Sequence, residues 1–209
     1  MRVRAIGVDQ LVEELVARLA SFEPDRWLRV AVDGQPATEP GRLADALVAP
    51  LRVLGRDVLR VSAADFLRPA SLRFERGKQD AEAFYEDWLD ANAIARELLD
   101  PLDPGGTGRV LPSLWDTERD RATRADYVAL RPGAVVILDG TLLLGRWLPF
   151  EFTVHLALTP AARERRLPPE ERWTLPAYER YDDEVDPETT ADVVVRWNSP
   201  DRPTLLDPT

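Results

Sequence analysis

Residues 30–48, VAVDGQPATEPGRLADALV, join a buried-strand pattern to an amphipathic-helix pattern through a turn that starts at Gly34. That order can build a phosphate cradle, in which backbone N–H groups converge on phosphate oxygens at a helix N-terminus and a lysine neutralises the outer charge. Gly34, Gln35, Ala37, Thr38, Gly41 and Arg42 are the candidate residues of such a loop. Its chemistry is altered, however. Pro36 and Pro40 have no N–H to donate, the only lysine of the chain is Lys78, and Glu39 is an anion in an anion's place. A carboxylate about 5 Å from a phosphate costs roughly 3 kcal/mol at an effective dielectric of 20, and a lost charge-assisted contact costs about 1.5–3 kcal/mol. The other reading is structural: Thr38 or Glu39 caps the helix, Pro40 stands in its first turn, and the Glu39 charge satisfies the helix dipole internally.

Two further carboxylates could take part in chemistry. Asp139 closes the most apolar run, GAVVILDG (133–140). A carboxylate at the C-terminal edge of a parallel sheet lies beside the ligand crevice, so Asp139 is a candidate for holding Mg2+ through water or assisting proton transfer. Capping the loop before Gly140 is the alternative. Asp65, after DVLRVSA, is a candidate base or a turn residue. The single histidine, His155, lies in an apolar strand. A buried, hydrogen-bonded role suits it, and no metal site made of protein ligands alone is expected.

The elements that position these residues follow from periodicity. Apolar residues at Leu11, Leu15, Val16 and Leu19 mark a helix over about 8–20, and Leu43, Ala44, Leu47, Val48 and Leu51 mark another, its last turn disturbed by Pro50. Strands are expected at 28–34, 57–66, 133–144, 151–160 and 191–197, with helices at 80–99 and near 175–184. Residues 99–116 are rich in turn formers, and 198–209 read as a loose tail. Strands alternating with helices predict an α/β fold: a doubly wound, mainly parallel sheet flanked by helices. One domain over 1–209 is expected, with a lid-like segment at about 160–185. The formal charge of −10 argues against general nucleic-acid binding. With no cysteine, disulfides and thiolate metal sites are excluded. No apolar run approaches the ~20 residues of a bilayer span, and the start lacks a signal peptide's apolar segment. A soluble, cytoplasmic protein is expected.

Taken in order, RVAVDG, RVSAADFLRP, RFERGKQDAEAFYEDWLD, LLDPLDPGG, RPGAVVILDGTLLL and YERYDDEVDPETTADVVV resemble the uridine kinase-like proteins of actinobacteria. These belong to the uridine kinase and phosphoribulokinase group of P-loop kinases, and the resemblance covers roughly residues 8–198. It implies a P-loop NTPase fold of the nucleoside and nucleotide kinase type. For intact members it also implies Mg-ATP-dependent phosphorylation of a nucleoside hydroxyl. The family's glycine, lysine and threonine fall on Glu39, Pro40 and Gly41, a degenerate Walker A loop. Its acidic residue after the second strand falls on Ala64, one position before Asp65, and Asp139 matches the acidic residue ending its central strand.

The resemblance places an acceptor-side wall at Phe66, Arg68, Tyr85, Asp90, Trp115, Asp116 and Arg121. Aromatic residues there could stack on a base and Asp116 could bind ribose hydroxyls; packing is the other role open to them. Lid arginines that would meet the transferred phosphate fall on Arg163, Arg165, Arg166 and Arg172, in a segment that also reads as a solvated charged helix. Two functions are implied. One is a uridine or nucleoside kinase using Mg-ATP. The other is a catalytically inactive kinase-fold binding or regulatory protein that keeps an acceptor-side pocket and needs no cofactor. In both, the partner is a nucleoside or related small molecule, with no membrane partner, and a homo-oligomer is compatible with either.

Overall fold

A computed structural model describes residues 2–199 and 202–207. The strands, in chain order, are β1 (Arg2–Ala5), β2 (Leu28–Gly34) and β3 (Val58–Ser62), then the two-residue β4 (Arg109–Val110), β5 (Trp115–Asp116), β6 (Arg121–Ala122) and β7 (Val128–Ala129). β8 (Val135–Gly140), β9 (Phe152–Ala157), β10 (Val193–Arg196) and β11 (Thr204–Asp207) complete the set. One seven-stranded sheet has the order β1-β11-β10-β9-β2-β8-β3. β3, β8, β2, β9 and β10 are parallel, and β11 is antiparallel to both β10 and β1. β2 lies near the middle with all seven residues buried, as expected of a parallel strand covered on both faces.

Helices α1 (Val8–Ala20) and α2 (Pro40–Val53) cover one face. Leu11, Leu15 and Leu19 of α1 and Leu43, Leu47 and Leu51 of α2 recur at helical spacing and pack on Val30, Val32, Val135, Ile137, Val154 and Leu156. The other helices are α3 (Ala70–Arg73), α4 (Ala81–Glu86), α5 (Ala91–Ile94), α6 (Pro160–Arg166), α7 (Leu175–Val185) and α8 (Pro187–Thr190). Phe66, Ile94, Leu98, Leu99, Tyr178 and Tyr181 cover the second face, over Ala31, Val136 and Leu138. Among the described residues, no helix is long and apolar enough to cross a membrane.

Four local expectations are corrected. The helix expected over 80–99 is broken into α4, α5 and a π turn at Ala95–Leu99. Its sequence carries two N-caps: the Asp80 carboxylate accepts from Ala83 N–H at 2.7 Å, and Asp90 accepts from Ala93 N–H at 2.9 Å. The strand expected over 57–66 ends at Ser62, where Ala63–Phe66 turn into a 3-10 helix. Residues Thr204–Asp207 are not a loose tail but β11, held between β1 and β10; residues 200, 201, 208 and 209 lie outside the described set. Pro50 is accommodated, and α2 continues to Val53.

Candidate functional site

After β2 the chain makes a 3-10 turn at Pro36–Thr38, and Glu39 then opens α2 from the left-handed region, at φ 53 and ψ 56. A glycine adopts that conformation freely, whereas a side chain is strained in it. The loop therefore keeps a glycine's backbone at a position where the residue is glutamate. Gly34 is close-packed: a Cβ there would meet Thr38 Oγ1 at 2.5 Å and Leu156 Cβ at 2.9 Å.

Three N–H groups of this loop are engaged internally, while, among the described residues, those of Ala37 and Gly41 are not. Thr38 donates to the Gln35 carbonyl at 2.8 Å, Glu39 to Pro36 at 3.0 Å and Arg42 to Glu39 at 2.9 Å. Thr38 Oγ1 also donates to the Gln35 carbonyl, at 2.7 Å, and no side chain caps α2. Arg42 does not fold back over the loop; its guanidinium is exposed, 3.5 Å from Glu39.

Two arginines of α6 tie the loop down by its acceptors. Arg166 donates to the carbonyls of Ala37 and Trp197. Arg163, buried, reaches Asp182 at 2.6 Å and donates to the Gln35 side-chain oxygen, in the amide orientation that satisfies both groups, from Nε at 2.6 Å. Arg165 and Arg172 stand elsewhere, Arg165 exposed near the Asn198 carbonyl at 3.4 Å and Arg172 in the turn before α7.

Beside the loop, Asp139 ends β8 and is 4% exposed. Arg60 comes from β3, two residues before Ser62, which pairs with Asp139 in register. The period-2 alternation puts Arg60 and Asp139 on one face of the sheet. Arg60 Nη2 donates to Asp139 Oδ2 at 2.8 Å. Arg60 Nε is 2.6 Å from Oδ1 but off the hydrogen-bonding line, so that contact is an ion pair without a hydrogen bond. Asp45 approaches Arg60 from α2 at 3.6 Å. Burial pushes the Asp139 carboxyl up, and Arg60 opposes that shift. The guanidinium lies against Gly41, where a Cβ would meet Arg60 Nη2 at 2.5 Å and Asp139 Oδ2 at 3.0 Å.

A pocket of about 350 Å3 opens between this pair and α4. Its lining includes Gly34, Gly41 and Asp139, the apolar Leu67, Phe84, Trp88 and Leu142, and Arg146, whose guanidinium donates to the carbonyls of Leu142 and Tyr85. Phe84 and Trp88 meet edge to face at 5.1 Å, and Trp173 packs on both. None of the seven residues assigned to the acceptor side lines it. Phe66 is fully buried beneath it, and Asp90 caps α5. Arg68 lies near Asp87 at 4.0 Å. The Tyr85 hydroxyl is bonded to Glu184 at 3.2 Å. Trp115 Nε1 donates to Asp120, and Asp116 and Arg121 face each other across the β5–β6 hairpin.

Asp65 turns its backbone carbonyl to Leu114 N–H at 2.9 Å, and burial pushes its carboxyl up. It does not line the pocket, whereas Ala64 does. Sequence reasoning passed over Arg60, Phe84 and Trp88 as site residues. The signal for Arg60 was a lone charge inside VLRVS, but its partner becomes visible only once β3 and β8 are in register.

A possible uridine kinase from Bacillus stearothermophilus superposes with a TM-score of 0.72 at 21% identity, covering 88% of this chain and 96% of that one. The chain has a P-loop kinase fold. A candidate fructose transport system kinase from Silicibacter sp. TM1040 superposes with a TM-score of 0.60 at 25% identity, covering 90% of each chain. No family model matches the sequence, and no curated protein matches it.

P-loop kinases work with Mg-ATP, so the site can be asked whether it fits that pair. It does not fit. Gly41, at the start of α2, has no side chain to offer a metal, and an arginine fills the space beside it against the carboxylate. Of the loop's N–H groups, those of Thr38, Glu39 and Arg42 are carbonyl-bonded and those of positions 36 and 40 are missing, which leaves few donors for phosphate oxygens.

Proposed function

We propose that this chain is a kinase-fold protein that binds a nucleoside or similar ring-bearing small molecule in the pocket beside Phe84 and Trp88, and does not transfer a phosphoryl group from Mg-ATP. One observation carries the reading: the Arg60 guanidinium is packed between Gly41 and Asp139, so the cation at this carboxylate comes from the protein. Phosphoryl transfer relies on positioning and charge neutralisation of the phosphates, and that neutralising capacity is turned on Asp139. The pocket itself suits a flat, partly apolar ligand, with Phe84 and Trp88 beside a few polar groups, Ser62, Thr141 and Arg146.

The competing reading is a working uridine or nucleoside kinase with Asp139 beside the acceptor hydroxyl. It draws on the fold and on the position of Asp139 at the C-terminal end of β8. The two separate in one pair of assays. Uridine should raise the unfolding temperature without nucleotide, by an amount that Trp88→Ala reduces, and no uridine phosphate should form with Mg-ATP. Turnover that disappears in Asp139→Asn would establish the kinase instead.

A further inference from the structure

A second cavity, of about 480 Å3, opens where the C-terminal ends of β9 and β10 meet α6, α7 and α8. Its floor holds a buried cluster with no part in the site described above. Asp33, the residue before Gly34, pairs in register with His155 on β9 and is fully buried. The Asp33 carboxylate accepts from Leu143 N–H at 2.9 Å and from the Tyr181 hydroxyl at 3.0 Å. Tyr181 is bound to donate there, because its oxygen already accepts Leu144 N–H at 3.0 Å. His155 Nδ1 lies 2.6 Å from the same carboxylate. An acceptor so placed assigns a ring proton to Nδ1, and in the neutral imidazole that leaves Nε2 with a free lone pair.

The His155 side chain is 9% exposed, and Nδ1 makes its only hydrogen bond among the described residues. With Nδ1 engaged, Nε2 is an unpartnered acceptor on a ring that lines the cavity. Such a group stays without a partner only where a ligand or water completes it. The charges around it say which ligand. Arg163 is bonded to Asp182 at 2.6 Å and Arg196 Nη2 to Glu188 at 3.0 Å, so both guanidinium charges of the wall face a carboxylate, although Arg196 Nε is buried without a partner among the described residues. Asp186, also on the wall, has no side-chain partner among the described residues. A phosphate or carboxylate would have to compete with Asp182 and Glu188 for the two arginines and would meet the unpaired Asp186, whereas hydroxyl groups would find acceptors at Nε2 and Asp186 and further partners in Thr141 and Tyr178.

We infer that this cavity binds a neutral polyhydroxy molecule, a free sugar or the ribose of a nucleoside, with one hydroxyl donating to His155 Nε2. This cavity is distinct from the pocket beside Trp88, although Gly34 and Thr141 line both.

The chain has one histidine, so 15N-histidine labelling reports a single ring. The free protein should show the Nδ1–H tautomer. D-Ribose, D-fructose, D-glucose, myo-inositol and uridine, each titrated to millimolar concentrations, should include at least one compound that shifts the Nε2 signal saturably. Free sugars acting alone would point to a sugar site; uridine acting without them would point to its ribose, provided the shift survives Trp88→Ala. For ribose, fructose and glucose, the phosphorylated forms should bind about tenfold more weakly or less. His155→Asn keeps a donor toward Asp33 and removes the acceptor at Nε2, and should weaken binding about tenfold while unfolding near the wild-type temperature. Nε2 unmoved by the whole panel, a sugar phosphate preferred to its sugar, or equal binding by His155→Asn would overturn the assignment. If His155→Asn does not fold, the wild-type titration decides alone.

Discussion

Arg60 Nη2 and Asp139 Oδ2 meet at 2.8 Å against the bare Cα of Gly41. A residue with a Cβ at position 41 and an arginine at position 60 cannot both keep their places. Gly41→Ala should therefore displace the guanidinium and destabilise the fold by about 1–3 kcal/mol, the cost of leaving a buried carboxylate poorly paired. The same substitution in Arg60→Ala should cost less. A double-mutant cycle on urea unfolding measures that coupling, expected at about 0.5–3 kcal/mol; additive effects would show that the two residues do not compete for this space.

Asp139 also makes stability depend on pH. Burial raises its carboxyl above the ordinary range in the folded state, with Arg60 pulling the other way. Between the unfolded value near 4 and the raised native value, the folded chain holds a proton that the unfolded chain has released. The stability linked to this group is full below the unfolded value and declines as pH rises through the folded one. Subtracting Asp139→Asn from the wild type across pH 3.5 to 7 should leave a difference that turns against the wild type with rising pH, by at most roughly 1.4 kcal/mol per unit. A difference that turns toward the wild type would mean the carboxyl is held down, not up.

Glu39 sits at φ 53, a conformation that favours glycine. Its contact with Arg42 is exposed and long at 3.5 Å, and such pairs contribute little. Glu39→Gly should thus stabilise the protein by about 1 kcal/mol by relieving the left-handed backbone, read as a higher urea midpoint. A lower midpoint would show that the glutamate has a partner worth more than the strain.

The parallel sheet was legible in the sequence because RVAVDG and AVVILDG are continuous apolar runs, and the helices that flank β2 show their period at Leu11–Leu19 and Leu43–Leu51. The breaks within 80–99 were also written there, as Asp80 and Asp90, but an apolar period running through both caps masks them. β11 needed β1 and β10 for its partners, and TLLD alone is too short to announce a strand. The site was half legible. The strand, turn and helix around Gly34 could be read from the sequence, whereas the Arg60–Asp139 pair and the Asp33–His155 pair join strands whose register no local pattern encodes.

The most direct test is a calorimetric titration of Mg-ATP into the protein. The account predicts no saturable heat up to millimolar nucleotide, and no rise in unfolding temperature, where a ligand at a hundred times its dissociation constant would add about 2.7 kcal/mol. Saturable micromolar binding that strengthens with Mg2+ would contradict it, because Arg60 would then have to yield its place beside Asp139.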